Sequence, residues 1–493
     1  MSENTPSEVA SFLSGSPLKA FVGGKSVEAA DGASFTTYDP GTGERLAEVT
    51  AMSAADIDLA VQAADKAFRT TGWAEMPANE RGVLLHRLAD AVEGNIETLA
   101  RIEALDAGKI LEQAVGDIQN FVDTMRYFID ISLHVQHRVP LAVAGHEART
   151  VRLPWGPCGF IFPWNFPFLL IGWNIAPALA AGNTVVIKPA EDTPLSALYL
   201  AKLAQQVGIP DGVINVVTGY GETAGAALAA HPKLKRMSFT GSPEVGRMVA
   251  EVCGRNLTPV KLELGGKGAA VLFDDIDVEA TAESLVGAIT FHSGQVCCDA
   301  TRWLVQRPIY DRFVDACVSR LKQVQVGYQM NEATQMGPVV SEKQRQRILN
   351  YLEKGQAEGA ELVLEGGPAE IEGYKGSYVK PSLLAGGLDN IAAQEEIFGP
   401  VAYLSPFDNE QQAIEMVNST DYGLANSVWS ADLGRANRVA EQMVAGNSWI
   451  NAHNVFAAGI PYAGINKSGM GGGVLSIDTY LDYTRGLSVV RPL

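Results

Sequence analysis

The amino-acid sequence predicts an α/β fold with two parallel-sheet domains and a smaller β element. Short apolar stretches alternate with single helices between residues 184 and 273, and a second series of the same kind begins near residue 278. Strands that alternate with single helices are typical of parallel sheets joined by right-handed crossovers. A chain of 493 residues is also too long for one ordinary core, so two or three domains are expected.

The N-terminal part is predicted to be mostly helical. Residues 1–50 have the composition of a polar tail followed by short strands and turns, whereas apolar residues recur at helical spacing from about 53 to 130. Ser53 stands where it can cap the first helix. Alternating residues on either side of a turn at Gly145 then predict a β-hairpin over residues 135–152.

The remaining chain supplies the two parallel sheets. Strands of the first series are predicted at 184–187, 213–217, 237–240, 260–264 and 269–273. Its helices are predicted after Thr193 as N-cap with Pro194 in the first position, near 222–230, and at 242–252. Helices of the second series are predicted near 278–291, 309–324, 341–358 and 431–444, before a strand-like tail at 487–490. Residues at the carboxyl ends of the strands are candidates for ligand binding, because open α/β sheets bind ligands there.

Composition argues against several classes of partner. The net charge of −18 disfavours nucleic-acid backbones and anionic membrane surfaces, because both favour clustered Lys and Arg. Five cysteines, mostly far apart, are not typical of a disulfide-rich secreted protein. No signal-peptide pattern is visible, so the cytoplasm is the expected location. The uncharged stretch 153–187 contains five prolines, and we therefore expect a buried strand–loop–helix rather than a membrane span.

The cysteine pair within Ser293–Thr301 is the first candidate for chemistry. Cys297 follows a Gly-Gln pair at which a helix could end, so its thiol could meet a ligand and be activated by local dipoles. The alternative is an inert buried thiol, which is the commoner role of cysteine and fits the three isolated cysteines. No metal site is expected, since adjacent cysteines lack the usual zinc-ligand spacing and His292 is the only close histidine.

Two further residues could supply a base and an oxyanion donor. Glu263 stands between two leucines in a predicted strand, where burial would raise its pKa and suit a general base. An edge-strand glutamate that faces solvent is the alternative. Asn165 lies between Pro163 and Pro167, which would position its amide as an oxyanion donor; a simple turn asparagine is the alternative.

A nucleotide site is predicted at the end of the strand 184–187. Lys188 and Glu191 could hydrogen-bond ribose hydroxyls there, and the carboxylate would repel a 2′-phosphate, which favours NAD over NADP. The glycines of 219–225 are only a partial dinucleotide fingerprint, with one residue too many before the last glycine. The segment 239–246 is a second strand–Gly–helix junction that could offer N–H groups to a phosphate.

Taken together, these motifs resemble the NAD(P)-dependent aldehyde dehydrogenase superfamily, with most likeness to its broad-specificity and betaine-aldehyde-type members. The interval between Glu263 and Cys297, 297 − 263 = 34 residues, is also similar to that of the family. The matches occur in the family's order over roughly residues 20–490: PWNFP (163–167), KPAE (188–191), FTGS with Gly246, LELGGK (262–267), GQVCC (294–298), EEIFGP (395–400) and WIN (449–451).

The resemblance implies a role for each of these residues. Cys297 would be the nucleophile, Glu263 the base that activates water, and Asn165, with the Cys297 backbone N–H, the oxyanion hole. The implied cofactor-binding residues are Lys188, Glu191, Trp164, Gly241, Ser242, Gly246, Glu396 and Phe398. The implied substrate pocket is apolar and aromatic, consisting of Phe166, Leu170, Trp173, Phe291, Val296, Cys298, Phe456 and Tyr462. Such a pocket suits aliphatic or aromatic aldehydes, and an aromatic cage can also hold a quaternary ammonium.

The implied function is NAD-dependent oxidation of an aldehyde to a carboxylic acid, through a cysteine thiohemiacetal and a thioester. A coenzyme-A-acylating enzyme and a non-catalytic binding protein on the same fold are the alternatives. The implied domains are an NAD-binding domain (1–131 and 153–265), a catalytic domain (266–467) and oligomerisation strands (132–152 and 468–493) in a homodimer or homotetramer.

Two places depart from the family's pattern. Gly472 and Gly473 stand where relatives usually have an Arg-Glu pair, and the nearby lysine is displaced by one position. Asn174 follows Trp173 where relatives commonly have lysine. In relatives the first of these regions lies near the oligomer interface and a proton path.

Overall fold

The computed structural model describes residues 7–493, and its N-terminal part is largely helical as predicted. The polar start contains a helix that the sequence did not predict, α1 (Ser7–Ser14), while residues 1–6 lie outside the described residues. Four short strands follow: β1 (Ala20–Val22), β2 (Lys25–Val27), β3 (Ser34–Tyr38) and β4 (Arg45–Thr50). Next come the helices α2 (Ala54–Thr70), α3 (Ala78–Glu93), α4 (Ile96–Ala107) and α5 (Leu111–His134).

Local sequence explains where these helices begin and end. Ser53 caps α2 as predicted, and it forms a capping box in which the Asp56 side chain accepts a hydrogen bond from the Ser53 backbone N–H. Within the region of predicted helical spacing, about 53–130, Gly94 and Asn95 separate α3 from α4. The predicted hairpin is present as β5 (Arg138–Val143) and β6 (His146–Pro154).

The first parallel sheet follows the predicted alternation. Its parallel strands are β7 (Pro157–Ile161), β8 (Thr184–Lys188), β9 (Ile214–Val216), β10 (Arg236–Thr240) and β11 (Val260–Glu263). The intervening helices are α6 (Pro167–Ala180), α7 (Leu195–Gln206), α8 (Ala226–Ala229) after a π-helical turn (Gly221–Gly225), and α9 (Pro243–Asn256). Helix α7 begins one residue later than predicted, with Pro194 as its cap.

The second sheet is also mainly parallel, and it includes one strand that the sequence analysis assigned to the first. Its first two strands are β12 (Gly268–Leu272) and β13 (Ala300–Gln306). The predicted strand 269–273 is therefore β12, which pairs with β13 and not with β11; the Gly265-Gly266 turn carries the chain from one sheet to the other. The other strands of this sheet are β14 (Glu361–Leu364), β17 (Ser382–Ala385), β18 (Val401–Phe407), β19 (Ala425–Trp429) and β20 (Asn447–Ile450). Between β14 and β17, the short strands β15 (Gly367–Pro368) and β16 (Val379–Lys380) form a separate pair.

Helices of the second series lie close to their predicted places. They are α10 (Val278–Thr290), α11 (Tyr310–Leu321), α12 (Glu342–Ala357), α13 (Ile391–Gln394), α14 (Glu410–Val417) and α15 (Leu433–Ala440). Short 3₁₀ turns occupy Arg307–Ile309 and Asn466–Ser468, whereas Phe291–Gly294 is a tight turn with non-helical backbone angles at His292 and Ser293. The chain ends in β21 (Gly469–Met470), α16 (Ile477–Asp482) and β22 (Thr484–Pro492).

The C-terminal segment joins two sheets. Strand β21 pairs antiparallel with β11, so Glu263 lies in an interior strand between β10 and β21 and not at a sheet edge. Strand β22 pairs with β6 over nine residues, which gives a separate three-stranded sheet of order β22-β6-β5.

The long uncharged stretch forms the predicted buried strand, loop and helix. Every residue of α6 is buried, which accounts for the lack of charge in that part of the sequence. Within residues 7–493, no helix is both long enough and apolar enough to cross a membrane.

Candidate active site

One cavity of about 1050 Å³ brings together residues from both parallel sheets. Its wall includes the three predicted catalytic residues, Cys297, Glu263 and Asn165. It also reaches Lys188, at the carboxyl end of β8, where a parallel sheet is expected to bind a ligand. Residues separated by more than a hundred positions in sequence therefore meet at one site.

The loop before Cys297 is held in an unusual backbone conformation. His292 and Ser293 have φ values of 45° and 56°, and Gly294 has a φ of 70°. A Cβ on Gly294 would lie 2.3 Å from the Gly399 carbonyl group, so only glycine fits. The Gln295 side chain fixes the turn, since its Oε1 accepts the Val340 N–H at 2.9 Å. The Gly-Gln pair of the motif therefore shapes the loop that carries Cys297.

The Cys297 thiol lies beside two hydrogen-bonding groups. Its Sγ atom is 3.4 Å from the Tyr462 hydroxyl. The pKa of Cys297 is lowered, first by a hydrogen bond from the neighbouring Cys298 thiol and also by one from Tyr462, against the opposing effect of burial. The Tyr462 pKa is raised well above its usual range by burial and by the nearby thiols, so its phenol stays protonated and can donate.

Cys298 differs from its neighbour in its surroundings. Its Sγ atom lies 3.4 Å from the Asn454 side-chain oxygen, and its backbone carbonyl lies 3.0 Å from His453 Nε2. Burial raises the Cys298 pKa well above its usual range. The two adjacent thiols are thus unequal, and Cys297 is the one with the lowered pKa.

Glu263 is a buried carboxyl, and Lys261 is the nearest opposite charge that offsets its burial. Neither of its carboxylate oxygens has a hydrogen-bond partner in the part of the chain that the structure describes. Burial raises the Glu263 pKa well above its usual range. The solvent-facing alternative for this residue is therefore wrong for its position, because the side chain is only 6% exposed and lines the cavity.

The two glycines after Glu263 permit close backbone packing in the site. A Cβ on Gly266 would lie 2.3 Å from the Cys297 carbonyl oxygen, and one on Gly265 would lie 2.2 Å from a Glu396 carboxylate oxygen. The Gly266 N–H donates to Glu396 at 2.9 Å. Burial raises the Glu396 pKa to about 7.

The Asn165 amide is fixed by the loop that precedes Cys297. Its Nδ2 atom donates one hydrogen bond to the Gln295 carbonyl oxygen at 2.9 Å, and the residue is only 3% exposed. An amide nitrogen carries two N–H groups, so a second one is left for a ligand in the cavity. The structure places this amide on the same loop wall as the thiol, as an oxyanion donor requires.

Seven of the eight predicted cofactor-binding residues line the cavity, and Gly246 does not. Lys188 donates to Glu191 at 2.9 Å, and the Trp164 and Phe398 rings meet edge to face with centroids 5.2 Å apart. Gly246 packs inside α9, where a Cβ would lie 2.6 Å from the Leu264 side chain. Its role is thus close helix–sheet packing. The lining residues are Lys188, Glu191, Trp164, Gly241, Ser242, Glu396 and Phe398.

All eight predicted substrate-pocket residues line the same cavity. They are Phe166, Leu170, Trp173, Phe291, Val296, Cys298, Phe456 and Tyr462. The Phe456 ring meets those of Trp173 and Tyr462, each at a centroid distance of 5.6 Å. An aromatic wall therefore faces the thiol.

Sequence reasoning missed two polar residues of this wall. Asn454 and His453 line the cavity and contact Cys298. Burial lowers the His453 pKa to about 4, so the ring is neutral at physiological pH. The Trp449-Ile450-Asn451 motif lies just before them in the sequence and could have drawn attention to this segment.

The fold and the site define a class of enzyme: a buried thiol, an amide donor and an unpaired carboxylate meet beside the nucleotide-binding end of a parallel sheet. A family model described as the aldehyde dehydrogenase family matches residues 27–488. The chain belongs to this family, and it is an oxidoreductase that acts on aldehydes.

Individual relatives are similar over nearly the whole chain. Human retinal dehydrogenase 2 is 42% identical over 458 residues, covering 92% of this chain and 88% of the relative. The NAD+ complex of aldehyde dehydrogenase from Bacillus cereus superposes with a TM-score of 0.96, at 38% identity and 99% coverage of both chains. Betaine aldehyde dehydrogenase from Staphylococcus aureus, in complex with NAD+, has a TM-score of 0.96 at 33% identity, covering 99% of this chain and 97% of that one.

Proposed function

We propose that this chain oxidises an aldehyde to the carboxylic acid with NAD+ as electron acceptor, and that Cys297, Glu263 and Asn165 perform the reaction. The observation that supports this most strongly is the meeting of three groups in one cavity: a thiol of lowered pKa, a positioned amide and a buried carboxylate without partners. Each group matches one chemical need of the reaction.

The first step is attack of the Cys297 thiolate on the aldehyde carbon. The negative charge that develops on the aldehyde oxygen is stabilised by the free Asn165 N–H and by the Cys297 backbone N–H. Because the Asn165 amide is already held by the Gln295 carbonyl, little reorganisation is needed when the charge forms.

The second step releases the acid. Bound NAD+ supplies the hydride acceptor that converts the thiohemiacetal to a thioester. Glu263 then takes a proton from the water molecule that attacks the thioester, and the raised pKa of this carboxyl suits it to act as a base near neutral pH. This base favours hydrolysis over transfer of the acyl group to coenzyme A.

The residues present fit a dinucleotide. Lys188 and Glu191 offer a donor and an acceptor to ribose hydroxyls at the carboxyl end of β8. The backbone N–H groups at the start of α9, which Ser242 caps, face the same cavity and suit a phosphate. Glu396 and Phe398, near the thiol, would hold the nicotinamide end.

The aromatic wall around the thiol supports an apolar aliphatic or aromatic aldehyde, or one with a quaternary ammonium group, as substrate.

The exposed strands β5 and β22 support a homodimer or homotetramer built by sheet pairing. Three functional units follow: an NAD-binding unit (1–131 and 153–265), a catalytic unit (266–467) and oligomerisation strands (132–152 and 468–493). A reducing cytoplasm would keep both thiols of the pair free.

The test is an assay of NADH absorbance with a panel of apolar, aromatic and quaternary-ammonium aldehydes, with and without coenzyme A. The expected result is NADH and free acid without coenzyme A, and none with Cys297→Ala. Absence of NADH with every aldehyde contradicts the proposal, and activity that survives Cys297→Ala contradicts the assignment of the nucleophile. Strict dependence on coenzyme A would show acyl transfer in place of hydrolysis.

A further inference from the structure

Lys261 is a buried lysine that the proposed reaction leaves without a role. It lies on β11 two residues before Glu263, and its side chain is fully buried. Residues i and i+2 of a strand point to the same face of the sheet, so the two side chains are neighbours. The Glu263 carboxyl and the Lys261 amine thus share one buried face of the sheet.

The Lys261 amine has few hydrogen-bond acceptors. Its only hydrogen bond within the described residues is a long one, 3.4 Å, to the Gly473 carbonyl oxygen. A charged ammonium has three N–H donors and is seldom buried with two of them unused. Burial lowers the Lys261 pKa to about 7, consistent with an amine that is partly neutral at physiological pH.

The groups around Lys261 lead outward to the surface. The Tyr483 ring lies 5.6 Å from its Nζ atom, and Arg236 lies against the same ring at 5.3 Å. Arg236 also contacts Asp482, whose side chain is 36% exposed. The ionisable and charged groups that face Lys261 are therefore Glu263 on its own strand, Arg236 on β10, Asp482 at the end of α16 and the neighbouring Tyr483.

Gly472 makes room for this arrangement. It has a φ of 110°, and a Cβ at this position would lie 2.1 Å from a carboxylate oxygen of Asp482. Any side chain here would displace Asp482 from its place near β11. The glycine therefore permits the one partly exposed carboxylate of the group to approach Lys261.

We propose that Lys261 is the residue that receives the proton from Glu263 after thioester hydrolysis and passes it toward Asp482 and the solvent. This inference rests on the proposed role of Glu263 as the base. The protonated Glu263 carboxyl transfers its proton to the neutral amine, which regenerates the carboxylate and forms an ammonium. The ammonium then releases that proton by way of Asp482, so no net charge accumulates and no other reactant is consumed.

A need for such an acceptor follows from the burial of Glu263. Both of its oxygens are buried without partners, and the groups that face it on the cavity side are Cys297 and Tyr462. During hydrolysis Cys297 carries the acyl group, and Tyr462 is a phenol of raised pKa, so neither can accept the proton. Lys261 is the ionisable neighbour on the other side.

The test compares Lys261→Met with Lys261→Arg by rapid mixing and by steady-state pH profiles. Methionine removes both the charge and the proton acceptor, whereas arginine keeps the charge but stays protonated. In both variants we expect an unchanged rate for the first NADH per site and a steady-state rate lower by at least about tenfold, as for loss of a proton-transfer group. Lys354→Met, on the exposed face of α12, is the matched control and should behave as wild type.

The pH profiles separate a relay from a purely electrostatic role. Loss of the positive charge in Lys261→Met should raise the pKa of Glu263 and move the acid limb of the steady-state rate to higher pH. Lys261→Arg should keep the wild-type midpoint with a lower plateau.

Wild-type turnover in Lys261→Arg overturns the relay, because charge alone would then suffice. Loss of the first NADH in both variants also overturns it, since the defect would precede hydrolysis. Failure of the proposed function would instead appear as no NADH from the wild-type chain.

Discussion

The hydroxyl oxygen of Tyr462 lies 3.4 Å from the sulfur of Cys297, although 165 residues separate the two in sequence. The phenol is held by aromatic contacts with Trp173 and Phe456. Because burial keeps the phenol protonated, it is a donor to the thiolate form of Cys297. Tyr462 is therefore more than a wall of the substrate pocket.

Tyr462→Phe should raise the thiol pKa of Cys297. A hydrogen bond to a charged group contributes about 1.5–3 kcal/mol, which corresponds to about one to two pKa units. The measurement is the rate of Cys297 alkylation by iodoacetamide against pH, in a Cys298→Ala background. We expect a midpoint at higher pH and the same limiting rate. Tyr374→Phe is the control, and an unchanged midpoint in Tyr462→Phe would show that the phenol does not stabilise the thiolate.

Cys298→Ala should preserve catalysis. The Cys298 thiol has a raised pKa, so we expect it to stay protonated and not to act as the nucleophile. We expect most of the wild-type NADH rate, a moderately higher Cys297 pKa because one donor is lost, and a stability loss of about 1 kcal/mol from the small cavity. The checks are NADH assays and thermal denaturation beside Cys297→Ala. Inactivity of Cys298→Ala with normal folding would contradict the unequal roles of the pair.

Glu263→Gln should block hydrolysis but not formation of the thioester. We expect one rapid NADH per site, followed by turnover slower by at least about 100-fold. Mass spectrometry of the quenched protein should show the acyl group on Cys297. A normal steady-state rate in this variant would exclude Glu263 as the base.

The wild-type pH profile tests the environment of Glu263. Its folded pKa is raised by burial, so the active carboxylate form increases as pH rises and is lost on acidification. Under conditions where hydrolysis limits turnover, the rate should still be rising with pH near neutrality. An exposed glutamate, with a pKa of about 4.3, would give a flat profile there.

The positions of the site at which the chemistry allows few residue types were predictable from sequence. The roles proposed for Cys297, Glu263 and Asn165 require particular residue types, so their motifs indicated a site, and all three residues line one cavity. The assignment of 269–273 to the first sheet was wrong because strand patterns do not show which sheet a buried strand joins. The Tyr462–Cys297 contact depends on tertiary packing alone, and no local pattern indicates it.

The surroundings of Gly246 and Lys261 also could not be predicted from sequence. The family resemblance implies a cofactor-binding role for Gly246, but the structure shows this glycine packed against Leu264. Lys261 resembles an ordinary strand lysine, and its burial follows from the pairing of β21 with β11 and from the Tyr483 ring that lies against its amine. Long-range chain crossings of this kind leave no periodic signal in the sequence.

The exposed strand β5 should be needed for assembly. Strand β5 is an edge strand, and its side chains Val139, Leu141 and Val143 on one face are 37%, 43% and 47% exposed, which leaves an apolar edge strand for a second chain to pair with. We expect Val139→Lys combined with Leu141→Lys to give a species of lower mass by light scattering, with unchanged circular dichroism. Lys substitutions at the exposed Leu59 and Val83 are the control. An unchanged mass would show that assembly does not depend on this strand.

Glu191→Gln should weaken the preference for NAD+ over NADP+. The Glu191 carboxylate accepts a hydrogen bond from Lys188 at 2.9 Å at the predicted ribose site, where it would repel a 2′-phosphate. Removing this charge also frees the Lys188 ammonium to face the phosphate. We therefore expect kcat/KM to rise for NADP+ and fall for NAD+, as steady-state kinetics with both cofactors would measure. Glu222→Gln, elsewhere on the same cavity wall, is the control, because its carboxylate has no hydrogen bond to Lys188. An unchanged ratio in Glu191→Gln would mean that cofactor choice is determined elsewhere in the groove.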